Sequence, residues 1–191
     1  NLKTEHYTSS GARVVRLQNI GRGVFLDSDQ AYVSQAHFAT LMRHSVEPGD
    51  VLVAALGDGA RPGGRACVAP EGLGPALVKA DCFRVRVRRE EVLPEFLALY
   101  MNSSLGLAWI ANRIRGATRP RVNLSILRTL ELPVPPIPIQ QEVVSTHTRQ
   151  QEHLFALEQS VSTQVDALSA YPAAAILEQF PRVFLQPSTH A

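Results

Sequence analysis

GATRPRVNLSILRTLELPVPPIPIQQEVV, residues 116–144, is the stretch from which the rest of the chain can be read. Gly116 ends a helical pattern, and Arg119, Pro120 and Arg121 hold the backbone open, because a residue before proline is pushed out of the helical region. Asn123 can cap a short turn through Ile126 and Leu127. Leu130, Leu132 and Val134 alternate with Thr129, Glu131 and Pro133, the period of a half-buried strand, and Pro133 predicts a sheet edge. Pro135, Pro136 and Pro138 then forbid further ladder bonding and set the angle at which a helix leaves. The stretch thus predicts one globular domain before it and a helical arm after it.

Working upstream, Leu107, Ile110, Ala111 and Ile114 form one apolar face of a helix capped by Ser103 or Ser104, with Arg113 and Arg115 in its last turn. Leu93, Phe96, Leu97, Tyr100 and Met101 give a second amphipathic helix, with Pro94 suited to its first turn. In residues 83–88, Phe83, Val85 and Val87 face inward while Arg84, Arg86 and Arg88 face out, and Arg89 extends a basic stripe that reads as a solvated face beside Glu90 and Glu91. VLVAAL, residues 51–56, is a continuous apolar run expected to be a strand covered on both faces. Gly57, Asp58, Gly59, Gly63 and Gly64 make a loop carrying Arg61 and Arg65, without the lysine and Ser/Thr of a nucleotide-triphosphate cradle. Val14, Val15, Leu17 and Ile20 predict a strand with Arg16 and Gln18 on one face, and Arg22 projects from a turn between Gly21 and Gly23. Residues 25–38 carry little periodicity, beyond a turn at Asp27 and Asp29 and an extended piece at Tyr32–Ser34. Phe38, Leu41 and Met42 fit a short helix ending near His44.

Beyond Gln140 the signal is that of one long polar helix. Leu154, Leu157, Val161, Val165 and Leu168 are spaced as the seam of a two-helix pair, and Pro172 is expected to stop the helix.

The 191 residues, 45% hydrophobic, can bury one good core but not two sizeable ones. The formal charge of +2 conceals an asymmetry: residues 1–130 hold 17 basic against 11 acidic side chains, and the remainder 2 against 6. A basic body and an acidic arm suit a polyanion-binding domain tethered to a protein-binding helix. Seventeen of the nineteen basic residues are arginine, the better bidentate reader of guanine and phosphate, although a GC-rich genome would give the same skew. From Phe96 to Leu130 there are five arginines and no acid. Cys67 and Cys82 lack partners at metal-ligand spacing and read as free core thiols, which suits a reducing cytoplasm. There is no apolar run of membrane-spanning length, and the first ten residues lack a signal peptide's basic and apolar regions.

Catalytic constellations are absent from this reading. There is no Asn/Asp-Pro-Pro-Tyr/Phe sequence to hold a flipped adenine, and no Gly-rich strand-to-helix loop followed by an acid to bind a methyl donor. The six histidines include no i, i+4 pair and none near a cysteine. Asp58 and Glu71 lie in turn sequences without a lysine at a nuclease's spacing. No catalysis, cofactor or metal is expected.

The opening stretch resembles the end of a target recognition domain in the specificity (S) subunits of type I restriction-modification systems, where a Gly-rich loop, an Asn-capped turn and a Leu-Pro-x-Pro-Pro segment lead into a Gln-Glu-bearing helix. The resemblance continues at RVVRLQNI (13–20), VEPGDVLV (46–53) and LPEFLALYMNSSLG (93–106), in family order and over most of residues 11–165. It implies a non-catalytic α/β recognition domain with an α+β-like mixed sheet and packed helices, followed by a long C-terminal helix. The expected divisions are 1–138 for recognition, 139–171 for a coiled-coil-type spacer and 172–191 for a short helix or loose tail. Opening on Asn1 where family members have a further segment, the chain is expected to be part of a longer protein.

The implied partners are double-stranded DNA, of which one half of a bipartite site is read, DNA methyltransferase (modification) subunits, a restriction subunit, and a second recognition domain or second copy joined through the long helix. Candidate DNA-binding residues are Arg16, Gln18, Arg22, Arg61, Arg65, Arg113, Arg115, Thr118, Arg119 and Arg121. Candidate helix-pairing residues are Leu154, Leu157, Val161, Val165 and Leu168. Two other readings remain open here: the recognition part of a single-chain methyltransferase or restriction-methylation enzyme, and an oligomerisation module whose basic patch meets an acidic protein.

Overall fold

The computed structural model describes residues 2–57, 61–114 and 121–179. Its eight strands among those residues are β1 (Tyr7–Thr8), β2 (Ala12–Val15), β3 (Tyr32–Val33), β4 (Ser45–Val46), β5 (Val51–Ala54), β6 (Ala66–Val68), β7 (Ala76–Val78) and β8 (Cys82–Val85). The helices are α1 (Gln35–Ala39), α2 (Pro94–Asn102), α3 (Ser104–Arg113), α4 (Leu124–Arg128) and α5 (Ile137–Gln179). One sheet has the order β1-β3-β2-β7-β4 and the other β6-β5-β8. Among the described residues only β2 and β7 pair in parallel, with Val14 opposite Leu77, so the mixed sheet expected from the sequence is present.

Strand β5 explains the layering. All four of its residues are fully buried, and successive side chains of a strand point to opposite faces. Leu52 and Ala54 join Val15, Ile20, Val46, Cys67 and Cys82 in a core between the two sheets. Val51 and Val53 enter a second core with Leu97, Ala98 and Met101 of α2, Ile110 of α3 and Val122. A third cluster, Ala12, Val14, Val33 and Leu77 with Phe38 and Leu41, covers the far face of the larger sheet. An apolar run without alternation is therefore what a central strand between two cores requires. Truncating Leu52 to alanine would cost about 2–5 kcal/mol.

Helices α2, α3 and α4 begin where the sequence predicts, whereas the single short helix expected through Phe38, Leu41 and Met42 is α1, ending at Ala39, followed by a separate 3₁₀ turn at Met42–His44. Pro94 occupies the first turn of α2, the Ser103 hydroxyl accepts from Gly106 N at 3.2 Å, and Asn123 Oδ1 accepts from Ile126 N at 2.9 Å. Gly106 permits the tight α2–α3 joint, since a Cβ there would strike the Tyr100 carbonyl and the Met101 backbone. Gly64 has φ +85°, and a side chain on it would collide with Ile110.

Three further expectations need correction. Residues 130–136 form no strand: three prolines within and beside the segment remove ladder donors, and Leu130 and Leu132 keep their alternation by packing on the helix-side core. Strand β2 ends at Val15, and Leu17–Asn19 is a 3₁₀ turn, because Asn19 Oδ1 accepts from Arg16 N at 2.9 Å and folds the chain back. Arg16 and Gln18 therefore do not share a strand face. Pro172 does not end the last helix, which runs to Gln179; a proline removes one helical donor and crowds one carbonyl, at a cost of about 3 kcal/mol that flanking turns can absorb.

Two compact units meet between Val144 and Ser145. Within the first, the buried Gln140 fixes the opening of α5: its amide nitrogen donates to the Glu91 carbonyl (2.8 Å) and the Pro135 carbonyl (2.7 Å), and its Oε1 accepts from Leu93 N (2.9 Å). In the second, Leu154, Leu157, Val161, Val165 and Leu168 are 48–72% exposed, a row of apolar side chains that no described residue covers.

Candidate nucleic-acid interface

The arginines singled out by sequence fall into distinct environments. Arg65 requires a correction. Its side chain is fully buried, and its guanidinium donates to the carbonyls of Ile20 (2.7 Å), Leu17 (2.9 Å), Leu56 (2.9 Å) and Pro62 (3.0 Å). A planar fork of donors suits four converging loop carbonyls, so Arg65 ties the 17–20 turn to the 56–65 loop and offers no surface to a duplex. Arg61, in the same loop, is half-buried and has a partner of its own.

Arg16 is ion-paired with Asp29, and the neighbouring Arg13, 5% exposed, with Asp27 at 2.6 Å. Asn19 Nδ2 also donates to the carbonyls of Leu26 (2.9 Å) and Asp29 (2.7 Å). The aperiodic stretch after Phe25 is thus held by polar side chains rather than by an apolar pattern. Gln18 is exposed beside this network. Arg22 is exposed and donates to the Asn102 carbonyl at the end of α2 (2.9 Å).

Arg113 stacks on the Trp109 ring, its guanidinium carbon 3.6 Å from the centroid, and its Nη1 donates to the Trp109 carbonyl (3.3 Å). Stacking fixes the guanidinium plane while leaving its outer donors exposed, a geometry suited to phosphate. Arg121 pairs with Asp81 at 2.8 Å and reaches the Ala80 carbonyl at 3.3 Å, which seats it on the turn between β7 and β8. Arg115, Thr118 and Arg119 lie outside the described residues.

The arginine stripe that begins on β8 and continues past its end at Val85 is largely engaged within the fold. Arg86 makes paired contacts with Asp50 (2.7 and 2.8 Å) and reaches Glu47 (2.8 Å), and the Asp50 hydrogen bonds hold it charged well above the ordinary arginine range. Arg88 pairs with Glu91 at 2.9 Å. The solvated-face reading fits Arg88, whereas Arg86 anchors the turn at Pro48–Asp50.

Sequence reasoning missed a basic cleft. A cavity of about 380 Å³ opens between the Met42–His44 turn, the β7–β8 turn and Leu124, lined by Arg43, His44, Lys79 and Arg84 over an apolar wall that includes Leu77 and Phe83. Partial burial, followed by the charges of Arg43 and Arg84, pushes the His44 imidazole below its ordinary value. Arg43 precedes Lys79 by 36 residues and Arg84 by 41, and Lys79 and Arg84 are five residues apart, without a shared motif, so it is the β4–β7 pairing and the Arg84 hydrogen bond to the Ser45 carbonyl that make them neighbours.

With this geometry in view, comparison with known proteins is direct. The type I restriction modification DNA specificity domain family matches residues 49–166, more than half of the chain, and the chain belongs to that family. It is 25% identical over 156 residues to the type I restriction enzyme EcoBI specificity subunit of Escherichia coli, a match that covers 82% of this chain and 31% of the relative. The HsdS subunit from Thermoanaerobacter tengcongensis, solved by crystallography, superposes with a TM-score of 0.64 at 18% identity, over 93% of this chain and 45% of that one. A chain from a study of complex assembly and conformational transition in the type I R-M system gives the same TM-score at 17% identity, over 94% and 41%. The present chain thus spans less than half the length of each of these relatives.

Proposed function

We propose that this chain recognises one half of a bipartite double-stranded DNA target on behalf of a type I restriction-modification complex, and performs no catalysis itself. The observation that carries this reading is the family match over 49–166, which takes in the three-stranded sheet, β7, α2–α4 and most of α5. The charge distribution supports it, since phosphate contacts by arginine supply most of the affinity of such domains. Arg16, Gln18, Arg22, Arg61, Arg113, Arg115, Thr118, Arg119 and Arg121 remain the proposed DNA-facing set, with Arg65 removed as an internal tie. The pairing of Arg16 and Arg121 with carboxylates means that phosphate would exchange for Asp29 and Asp81 on binding.

The proposed division of labour places recognition in residues 1–138 and pairing in the long helix, where the exposed row from Leu154 to Leu168 meets a second such helix. Modification and restriction subunits are the proposed protein partners, and the cytoplasm the proposed location. Among the described residues no helix is long and apolar enough to cross a membrane. Fluorescence anisotropy with random duplexes at two salt concentrations tests the DNA reading. Affinity in the range of about 10⁻⁴ to 10⁻⁶ M that weakens with salt is the expected result for a lone half-site domain. Nanomolar, sequence-selective binding by a proven monomer would contradict the half-site account.

A further inference from the structure

We propose that the cleft bounded by Arg43, Lys79 and Arg84 seats a backbone phosphate of the bound nucleic acid, a contact that rests on the DNA-binding reading above. Three cations and one imidazole converge on a cavity of about 380 Å³, and among the described residues no carboxylate lines it. The nearby acid, Asp81, is engaged by Arg121 at 2.8 Å. Among the described residues none of Arg43, Lys79 and Arg84 has a carboxylate at ion-pair distance, in contrast to Arg13, Arg16, Arg86, Arg88 and Arg121.

The side chains are held for this task. Arg84 Nη1 donates to the Ser45 carbonyl (2.7 Å), which pins its guanidinium at the cleft while its other nitrogens keep donors. Arg43 Nε donates to His44 Nε2 at 3.0 Å, and among the described residues its outer nitrogens have no carboxylate partner. An apolar wall beneath the cations limits solvent screening and strengthens their attraction for an anion. Arg121, on the Ala80 carbonyl at the rim, extends the cationic surface beyond the cleft. The ligand is a phosphodiester oxygen rather than a base edge, because the cleft presents donors without an acceptor set to discriminate bases.

The test uses the full chain with Lys79→Gln and Arg43→Gln as separate variants, and Arg88→Gln, which sits in a surface ion pair away from the cleft, as a charge-matched control. Fold integrity is checked by circular dichroism and thermal midpoint. Binding to a random duplex is measured by anisotropy from 50 to 200 mM salt. Losing one phosphate contact should lower the salt slope by about 0.9, so the wild-type advantage should shrink about 3.5-fold across that range and be equal for all sequences. The control should keep the wild-type slope. Wild-type slopes in both folded cleft variants, a slope loss of the same size in Arg88→Gln, or a loss confined to particular sequences would each overturn the phosphate seat while leaving the DNA reading intact. Absence of DNA binding by the wild type would overturn the DNA reading and the seat with it.

Discussion

Replacing Arg65 by methionine preserves most of the side chain's length and removes its donors, and the structure allows the consequence to be worked out. Four carbonyls, those of Leu17, Ile20, Leu56 and Pro62, lose the guanidinium together, Leu17 keeping its bond from Ile20 N at 3.2 Å. A typical net hydrogen bond contributes about 1 kcal/mol and an orphaned buried acceptor costs about 1–3 kcal/mol, so the expected destabilisation is about 3–5 kcal/mol. For a domain whose total stability is about 5–15 kcal/mol this is a large fraction. With a urea slope of about 2 kcal/mol per molar, the midpoint should fall by about 2 M. Arg65→Lys should recover only part of the loss, because an ammonium cannot reproduce the planar fork. A midpoint within about 0.5 M of wild type, accompanied by weakened DNA binding, would refute the structural role and return Arg65 to the interface.

Three further outcomes are expected. Gln140→Ala strands the Glu91 and Pro135 carbonyls and should cost about 1–3 kcal/mol, with faster amide exchange in the first turns of α5 as the local readout. Burial pushes the Cys67 and Cys82 thiols up to about 12, so both should resist a thiol reagent at pH 8 until urea unfolds the chain; because the folded thiols hold their protons more tightly than unfolded ones, this contribution to stability is complete below about pH 9 and is lost as pH rises towards 12. Leu157→Asp with Val161→Asp should abolish any concentration-dependent association seen by sedimentation, and a wild-type chain that stays monomeric at high concentration would remove the copy-to-copy version of helix pairing.

What sequence could and could not reveal follows the range of the interactions involved. Caps are local: Ser103, Asn123 and Pro94 announce α3, α4 and α2 because the bonds that matter reach only two or three residues. β5 was legible because a strand between two cores must be apolar throughout. The segment at 130–136 was misread because one-sided burial gives the same alternation with or without a hydrogen-bonded neighbour. Arg65 was misplaced for a different reason: a guanidinium in a Gly-rich loop has the same sequence context whether it faces solvent or its own loop carbonyls. Its partners include residues 45 and 48 positions away, and that separation leaves no local trace. The cleft around Arg43, Lys79 and Arg84 was likewise invisible, since strand pairing between β4 and β7 brings its walls together.

Selection from a randomised duplex library tests whether this chain reads a short DNA half-site. The chain would be immobilised, challenged over several rounds at a salt concentration that suppresses non-specific binding, and the retained duplexes sequenced. Enrichment of one short contiguous motif is expected, with each mismatch costing about 1–3 kcal/mol. Retention of DNA without an enriched motif, or no retention at any salt concentration, would contradict the half-site reading.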